Sequence, residues 1–165
     1  MQIDLRKKTA LITGSGRGIG RACAFELAKS GANIILNDRP ESPDLAKTKL
    51  EIQKLGVQCE AVPANVLTRS GCESLMAGAI EKFSSVDILV STIAFAGTRQ
   101  SFLKYDHEDF EKNIKGTLIG GFHMSQLVAR QMVSINIPEK ILLFPVYMLK
   151  CLLLNVLHMV QQKQV

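Results

Sequence analysis

At 165 residues the chain is long enough to bury one substantial core and reads as about one domain. Apolar residues make up 47% and charged residues 21%, which excludes the composition of a disordered chain. The net charge is +5, but Lys and Arg are dispersed and no basic stripe interleaves with aromatics, so a solvated basic surface is expected and no nucleic acid partner.

The first element is TALITG (9–14), a short apolar run ending in glycine that reads as a buried strand. Residues 19–30 place apolar side chains at helical spacing and stop at Gly31. NIILND (33–38) is a second strand. A helix over 43–56 follows, then a strand over 57–65, a helix from about Thr68 to Phe83 and a fourth strand over 86–94. Residues 106–133 read as one long helix, and KILLF (140–144) begins a fifth strand. Strands alternating with helices of this length imply right-handed βαβ units and a parallel sheet covered on both faces.

Four cysteines, Cys23, Cys59, Cys72 and Cys151, form no CxxC pair and have no histidine at ligand spacing. Neither a metal site nor a disulfide scaffold is expected, and a reducing cytoplasmic setting suits them. The opening MQIDLRKKTALITG shows no secretory signal.

Chemistry concentrates between the first strand and the first helix, in TGSGRGIG (Thr13 to Gly20). A phosphate-binding turn needs small residues so that the chain reverses tightly, the backbone approaches the anion and the helix packs against the strand. The free N–H groups of the following helix then hold the anion. Asp38 closes the second strand, 18 residues past Gly20. Its carboxylate can accept the adenine-ribose hydroxyls of NAD and would repel a 2′-phosphate. Arg17 and Arg39 pull toward the phosphate of NADP. NAD is the expected cofactor, with NADP as the alternative.

The spacing Gly14-x-x-x-Gly18-x-Gly20 after Thr13, with RGIGRACAFELAKSGANIILNDR, VDILV and FEKNIKGTLIGGFHMSQLVARQM, resembles the short-chain dehydrogenase/reductase family over about residues 5–143. The 3-oxoacyl-acyl-carrier-protein reductases and glucose 1-dehydrogenase-like members are closest in flavour. The resemblance implies a Rossmann-type doubly wound α/β fold over 1–143, incomplete at about five strands. It also implies an NAD(P)-dependent oxidoreductase acting on a small alcohol or carbonyl, in a family whose full-length members are homo-oligomers. The cofactor set it implies is Thr13, Gly14, Ser15, Arg17, Gly18, Ile19, Gly20, Asp38, Arg39, Asn65, Val66, Ile93 and Ala94. The pattern departs from the family's in two places: Asn65 stands where an acid is usual, and Ser91-Thr92-Ile93-Ala94 replaces Asn-Asn-Ala-Gly. Thr117 occupies the place of the family's catalytic asparagine, while Asn113 offers the same Asn-x-x-Gly spacing one turn earlier.

The family's hydride transfer uses a tyrosine, a lysine four residues later and a serine thirteen residues before the tyrosine. Tyr147 and Lys150 lie three apart and no serine precedes them in the strand, so no intact catalytic set is expected. Sixteen of the twenty residues in ILLFPVYMLKCLLLNVLHMV (141–160) are apolar, about a bilayer-spanning length. Lys150 near its middle would cost ~2.5–3.5 kcal/mol on insertion, and a spanning segment is not favoured. A one-base loss near Leu143 accounts for more. Read one base earlier, permitted codons can restore Ser-Ser, a tyrosine overlapping His158 and a lysine overlapping Gln162, at family spacing. Residues 144–165 are therefore expected to be a frameshifted, non-family tail, and the chain an inactive dinucleotide-binding or interaction protein if the oxidoreductase reading fails.

Overall fold

The computed structural model describes residues 4–93, 101–136 and 141–143. Five parallel strands form one sheet in the order β3-β2-β1-β4-β5: β1 is Thr9–Thr13, β2 Asn33–Asn37, β3 Cys59–Ala61, β4 Ile88–Ser91 and β5 Ile141–Leu143. β1 lies at the centre, with Ala10 opposite both Ile34 and Ile88. Its alternating side chains serve opposite faces. Ala10 and Ile12 join Ile34, Leu36, Ile88 and Val90 in a core with Ala24 and Ala28 of helix α1 (Gly18–Lys29) and Leu45 and Ile52 of α2 (Asp44–Gln53). Leu11, Ile35 and Leu89 face the other way, against Leu75 of α3 (Arg69–Phe83) and Met124, Val128 and Met132 of α5 (Gly121–Ser134). Burial of each Leu or Ile side chain contributes about 1.5–3 kcal/mol.

The doubly wound parallel sheet expected from the sequence is thus present, and its elements differ at their edges. The third strand, Cys59–Ala61, is shorter than the expected run over 57–65, yet the chain stays tied to the β2 side past Ala61. Val62 N–H donates to the Leu36 carbonyl at 2.8 Å and Ala64 N–H to the Asp38 carbonyl at 3.1 Å, on either side of Pro63, which lacks an N–H. The long helix is three segments. Asp106 caps α4 (His107–Ile114), accepting from the N–H groups of Glu108 at 2.7 Å and Asp109 at 3.2 Å. A π-helical turn then runs over Lys115–Gly120 before α5 begins. This wide turn lies where Gly116 and Gly120 let the helix approach the loops after β3 and β4. At the opposite end of the sheet, the buried Asp87 carboxylate accepts from Thr9 N–H and the Lys8 ammonium, both at 2.9 Å, joining β1 to the approach of β4.

Among the described residues no helix is long and apolar enough to cross a membrane, and no cluster of His, Cys, Asp or Glu could hold a metal ion. Cys23, Cys59 and Cys72 are free thiols. Burial pushes Cys59 up to about 12 and Cys72 up to about 11, so neither presents a thiolate near neutrality.

Candidate functional site

The sheet changes winding direction between β1 and β4, and the chain leaves both strands on the same edge. In open α/β sheets the crevice at such a switch point is where ligands bind. The segment 14–17 turns from β1 into α1 there. Gly14 and Gly18 have φ of +64° and +59°, the left-handed region that L side chains adopt at a cost. Ser15 is wholly buried and braces the turn against β2: its N–H donates to the Asn37 carbonyl at 2.8 Å, and its Oγ accepts from Asn37 N–H at 2.9 Å. Thr92 closes the β4 side by donating its hydroxyl to the Thr13 carbonyl at 2.7 Å. Gly20 packs against this junction, where a Cβ would meet the Gly14 carbonyl oxygen and, at 2.5 Å, Thr92 Oγ1.

The N-terminus of α1 has no side-chain cap and no acidic residue in its first turn. Its leading N–H groups therefore face the crevice with the positive end of the helix dipole behind them. Arg17, Gly18 and Ile19 are exposed, and no atom of the described residues stands within 4 Å of a Cβ built on Gly18. A phosphate fits such a place.

Asp38 follows β2 and is firmly anchored. Its Oδ1 accepts from Arg39 N–H at 2.8 Å; its Oδ2 accepts from Gly16 N–H at 3.2 Å and from the Ser42 hydroxyl at 3.1 Å. Thr48, buried on α2, donates to the Gly16 carbonyl at 3.0 Å. Asn37 ties in the next loop, its Nδ2 donating to the carbonyls of Val62 at 3.0 Å and Ala64 at 3.2 Å. That loop carries Asn65, exposed with its Oδ1 accepting from Leu67 N–H at 3.1 Å, and the buried Val66.

The π-helical turn passes behind these loops. A Cβ on Gly116 would meet Leu67 Cδ2 at 2.8 Å and Ile93 Cγ2 at 3.3 Å, and one on Gly120 would strike the Val66 carbonyl oxygen. Thr117 lies between the two glycines, its Oγ1 buried and without a hydrogen-bond partner among the described residues. Asn113 is otherwise engaged: its Nδ2 donates to the Tyr105 hydroxyl at 3.0 Å and to the Asp109 carbonyl at 2.9 Å.

The fold therefore brings Thr13, Gly14, Ser15, Arg17, Gly18, Ile19, Gly20, Asp38 and Arg39 to one rim, with Asn65, Val66 and Ile93 on the adjoining loops. The side chains of Thr13 and Ser15 are buried within the scaffold, so these two serve the site through backbone and position. Ala94, Tyr147 and Lys150 lie outside the described residues. Sequence reasoning missed Gly16, Asn37, Ser42, Thr48 and Thr92. A polar Asn37 inside the apolar run NIILND was a usable signal; Ser42 and Thr48 carry none.

A parallel 3-2-1-4-5 sheet with a glycine turn at its switch point defines a Rossmann-type α/β protein. The family model for short chain dehydrogenase matches residues 8–137. Among curated relatives, the oxidoreductase YhdF of Bacillus subtilis (strain 168) is 34% identical over 122 residues, 74% of this chain and 42% of its own. The L-rhamnose 1-dehydrogenase (NAD(P)(+)) of Sphingomonas sp. (strain SKA58) is 33% identical over 129 residues, 78% of this chain and 50% of its own. A 7α-hydroxysteroid dehydrogenase solved with NADH and 7-oxo glycochenodeoxycholic acid superposes with a TM-score of 0.73 at 32% identity, covering 81% of this chain and 51% of that one. The chain belongs to the short-chain dehydrogenase family, and it spans about half the length of the relatives it matches.

Proposed function

We propose that this chain binds NAD at the crevice between β1 and β4, as the nucleotide-holding part of an oxidoreductase of alcohols or carbonyls. One observation carries the reading: the uncapped N-terminus of α1 and the anchored Asp38 carboxylate are joined through a single residue, Gly16. The first offers N–H groups to a pyrophosphate, and the second offers an acceptor to a ribose hydroxyl. NADP is the second reading, supported by the exposed Arg17 and Arg39. The bound nicotinamide would supply hydride chemistry. The chain's own residues would hold the phosphates on α1, orient the ribose at Asp38 and line the adenine side with Asn65 and Val66.

Turnover is not assigned to the chain. Tyr147 and Lys150 are three apart, and Thr117 offers one hydroxyl donor where the family's asparagine offers two amide donors. Residues 144–165 are read as an out-of-frame tail. Resequencing the gene across the codons for 137–165 tests this, and an unchanged reading frame overturns it.

The functional test is a fluorescence titration of the full chain with NADH, followed by assays of NAD with alcohols and NADH with carbonyls. Saturable binding without sustained turnover is expected. Lack of saturable binding overturns the nucleotide reading, and sustained turnover overturns the assignment of binding alone.

A further inference from the structure

We propose that Ser42 is a positioning residue that sets the preference for NAD over NADP by holding the carboxylate of Asp38. The inference rests on the nucleotide reading above and deepens it. A turn brings Ser42 back to Asp38: Ser42 N–H donates to the Arg39 carbonyl at 3.0 Å, with Pro40 in the position where a fixed φ favours such a turn. The Ser42 hydroxyl then reaches Asp38 Oδ2 at 3.1 Å.

An ionised carboxylate has about four acceptor positions. Gly16 N–H and Ser42 O–H take two on Oδ2, and Arg39 N–H takes one on Oδ1. Acceptor capacity remains on Oδ1, which suits a ribose hydroxyl. A 2′-phosphate needs donors instead, and these three are already engaged by Asp38. The same three bonds therefore favour the diol and disfavour the phosphate.

Of the three ties only Ser42 is a side chain, so only it can be removed without altering the backbone. Gly16 cannot follow the carboxylate if it swings, because Thr48 pins the Gly16 carbonyl at 3.0 Å. A Cβ at Gly16 would itself strike Asp38 Oδ2 and come within 3.0 Å of Ser42 Oγ. Loss of the Ser42 hydroxyl leaves Asp38 on its two backbone donors, with more freedom and a free acceptor on Oδ2.

The experiment compares Kd for NADH and NADPH in the full chain, in Ser42→Ala and in Ser42→Thr, with circular dichroism confirming the fold of each. Expected is a fall of about fivefold to tenfold in the ratio of the NADPH Kd to the NADH Kd for Ser42→Ala, mainly through weaker NADH binding. Ser42→Thr, which keeps the hydroxyl, should restore the ratio. Equal weakening of both nucleotides overturns the proposal, as does an unchanged ratio or failure of Ser42→Thr to restore it. A Ser42→Ala chain that does not fold would show a structural role and overturns it too. If the unaltered chain binds neither nucleotide, the nucleotide reading itself falls and this inference falls with it.

Discussion

Gly20→Ala sets two quantities of known size against each other. Alanine is favoured over glycine within a helix by about 1 kcal/mol, so on propensity alone the substitution stabilises α1. The local packing opposes this. The new Cβ would meet Thr92 Oγ1 at 2.5 Å and the Gly14 carbonyl carbon at 2.9 Å, besides the Gly14 carbonyl oxygen. Two of those three atoms are backbone, and the third is held by its bond to the Thr13 carbonyl. No flexible side-chain end is available to yield, so the N-terminal turn of α1 must move away from β1. Forcing an extra methyl group into a well-packed site costs about 1–3 kcal/mol, and the rigid neighbours place this case at the upper end. The net expectation is a loss of about 2 kcal/mol, read as a lowering of the urea midpoint by about 1 M. Moving the turn also withdraws the N–H groups that would hold a pyrophosphate, so NADH affinity should fall about tenfold, a loss of about 1.4 kcal/mol. A Gly20→Ala chain as stable as the parent or more so, with unaltered NADH affinity, would refute the close-packing argument.

Three further outcomes follow from buried groups. The Thr117 hydroxyl is buried without a partner among the described residues, a condition that costs about 1–3 kcal/mol, so Thr117→Val should raise the midpoint of thermal unfolding; a clear drop would show that the hydroxyl is satisfied. Cys59 and Cys72 are held well above the ordinary thiol value of 9.0, at about 12 and about 11, because burial disfavours the thiolate. The unfolded chain ionises these thiols first, so their contribution to stability is complete below pH 9 and is lost as pH rises through about 11 and 12. At pH 8, brief alkylation of the native chain followed by peptide mass spectrometry should label the half-buried Cys23 ahead of Cys59 and Cys72, and equal labelling of the three would contradict their burial.

The sequence was most informative where one local pattern decided the outcome. TGSGRGIG is a turn because of its glycines, and NIILND is a strand buried on both faces because its apolar run is short and unbroken. The third strand came out shorter than its hydrophobicity suggested, although Val62 and Ala64 still donate to the Leu36 and Asp38 carbonyls on either side of Pro63. The π-helical turn was not legible: the spacing of Phe110, Met124 and Met132 suits a continuous helix, and the close approach at the end of the wide turn, the Val66 carbonyl against Gly120, is to a residue distant in sequence. Ser42 and Thr48 were equally hidden. Their roles depend on where a turn and a helix place a hydroxyl relative to Gly16 and Asp38, and neither hydrophobic periodicity nor residue type encodes that distance.

The central position of β1 also fixes an order of events during synthesis. β2 can pair with β1 once about forty residues have emerged, since that contact is local in sequence. The other edge of β1 must wait, because its partner in the sheet runs from Ile88 to Ser91 and the carboxylate that receives Thr9 N–H is Asp87. Thr92, which closes the junction behind Gly14 and Gly20, arrives later still. The turn at residues 14–17 can thus take its braces from Asn37 and Asp38 early, and gains the Thr92 bond at its start only after β4 has been made. A nascent chain shorter than about ninety residues has the glycines without the wall that packs them, and gains that wall only when the sheet closes.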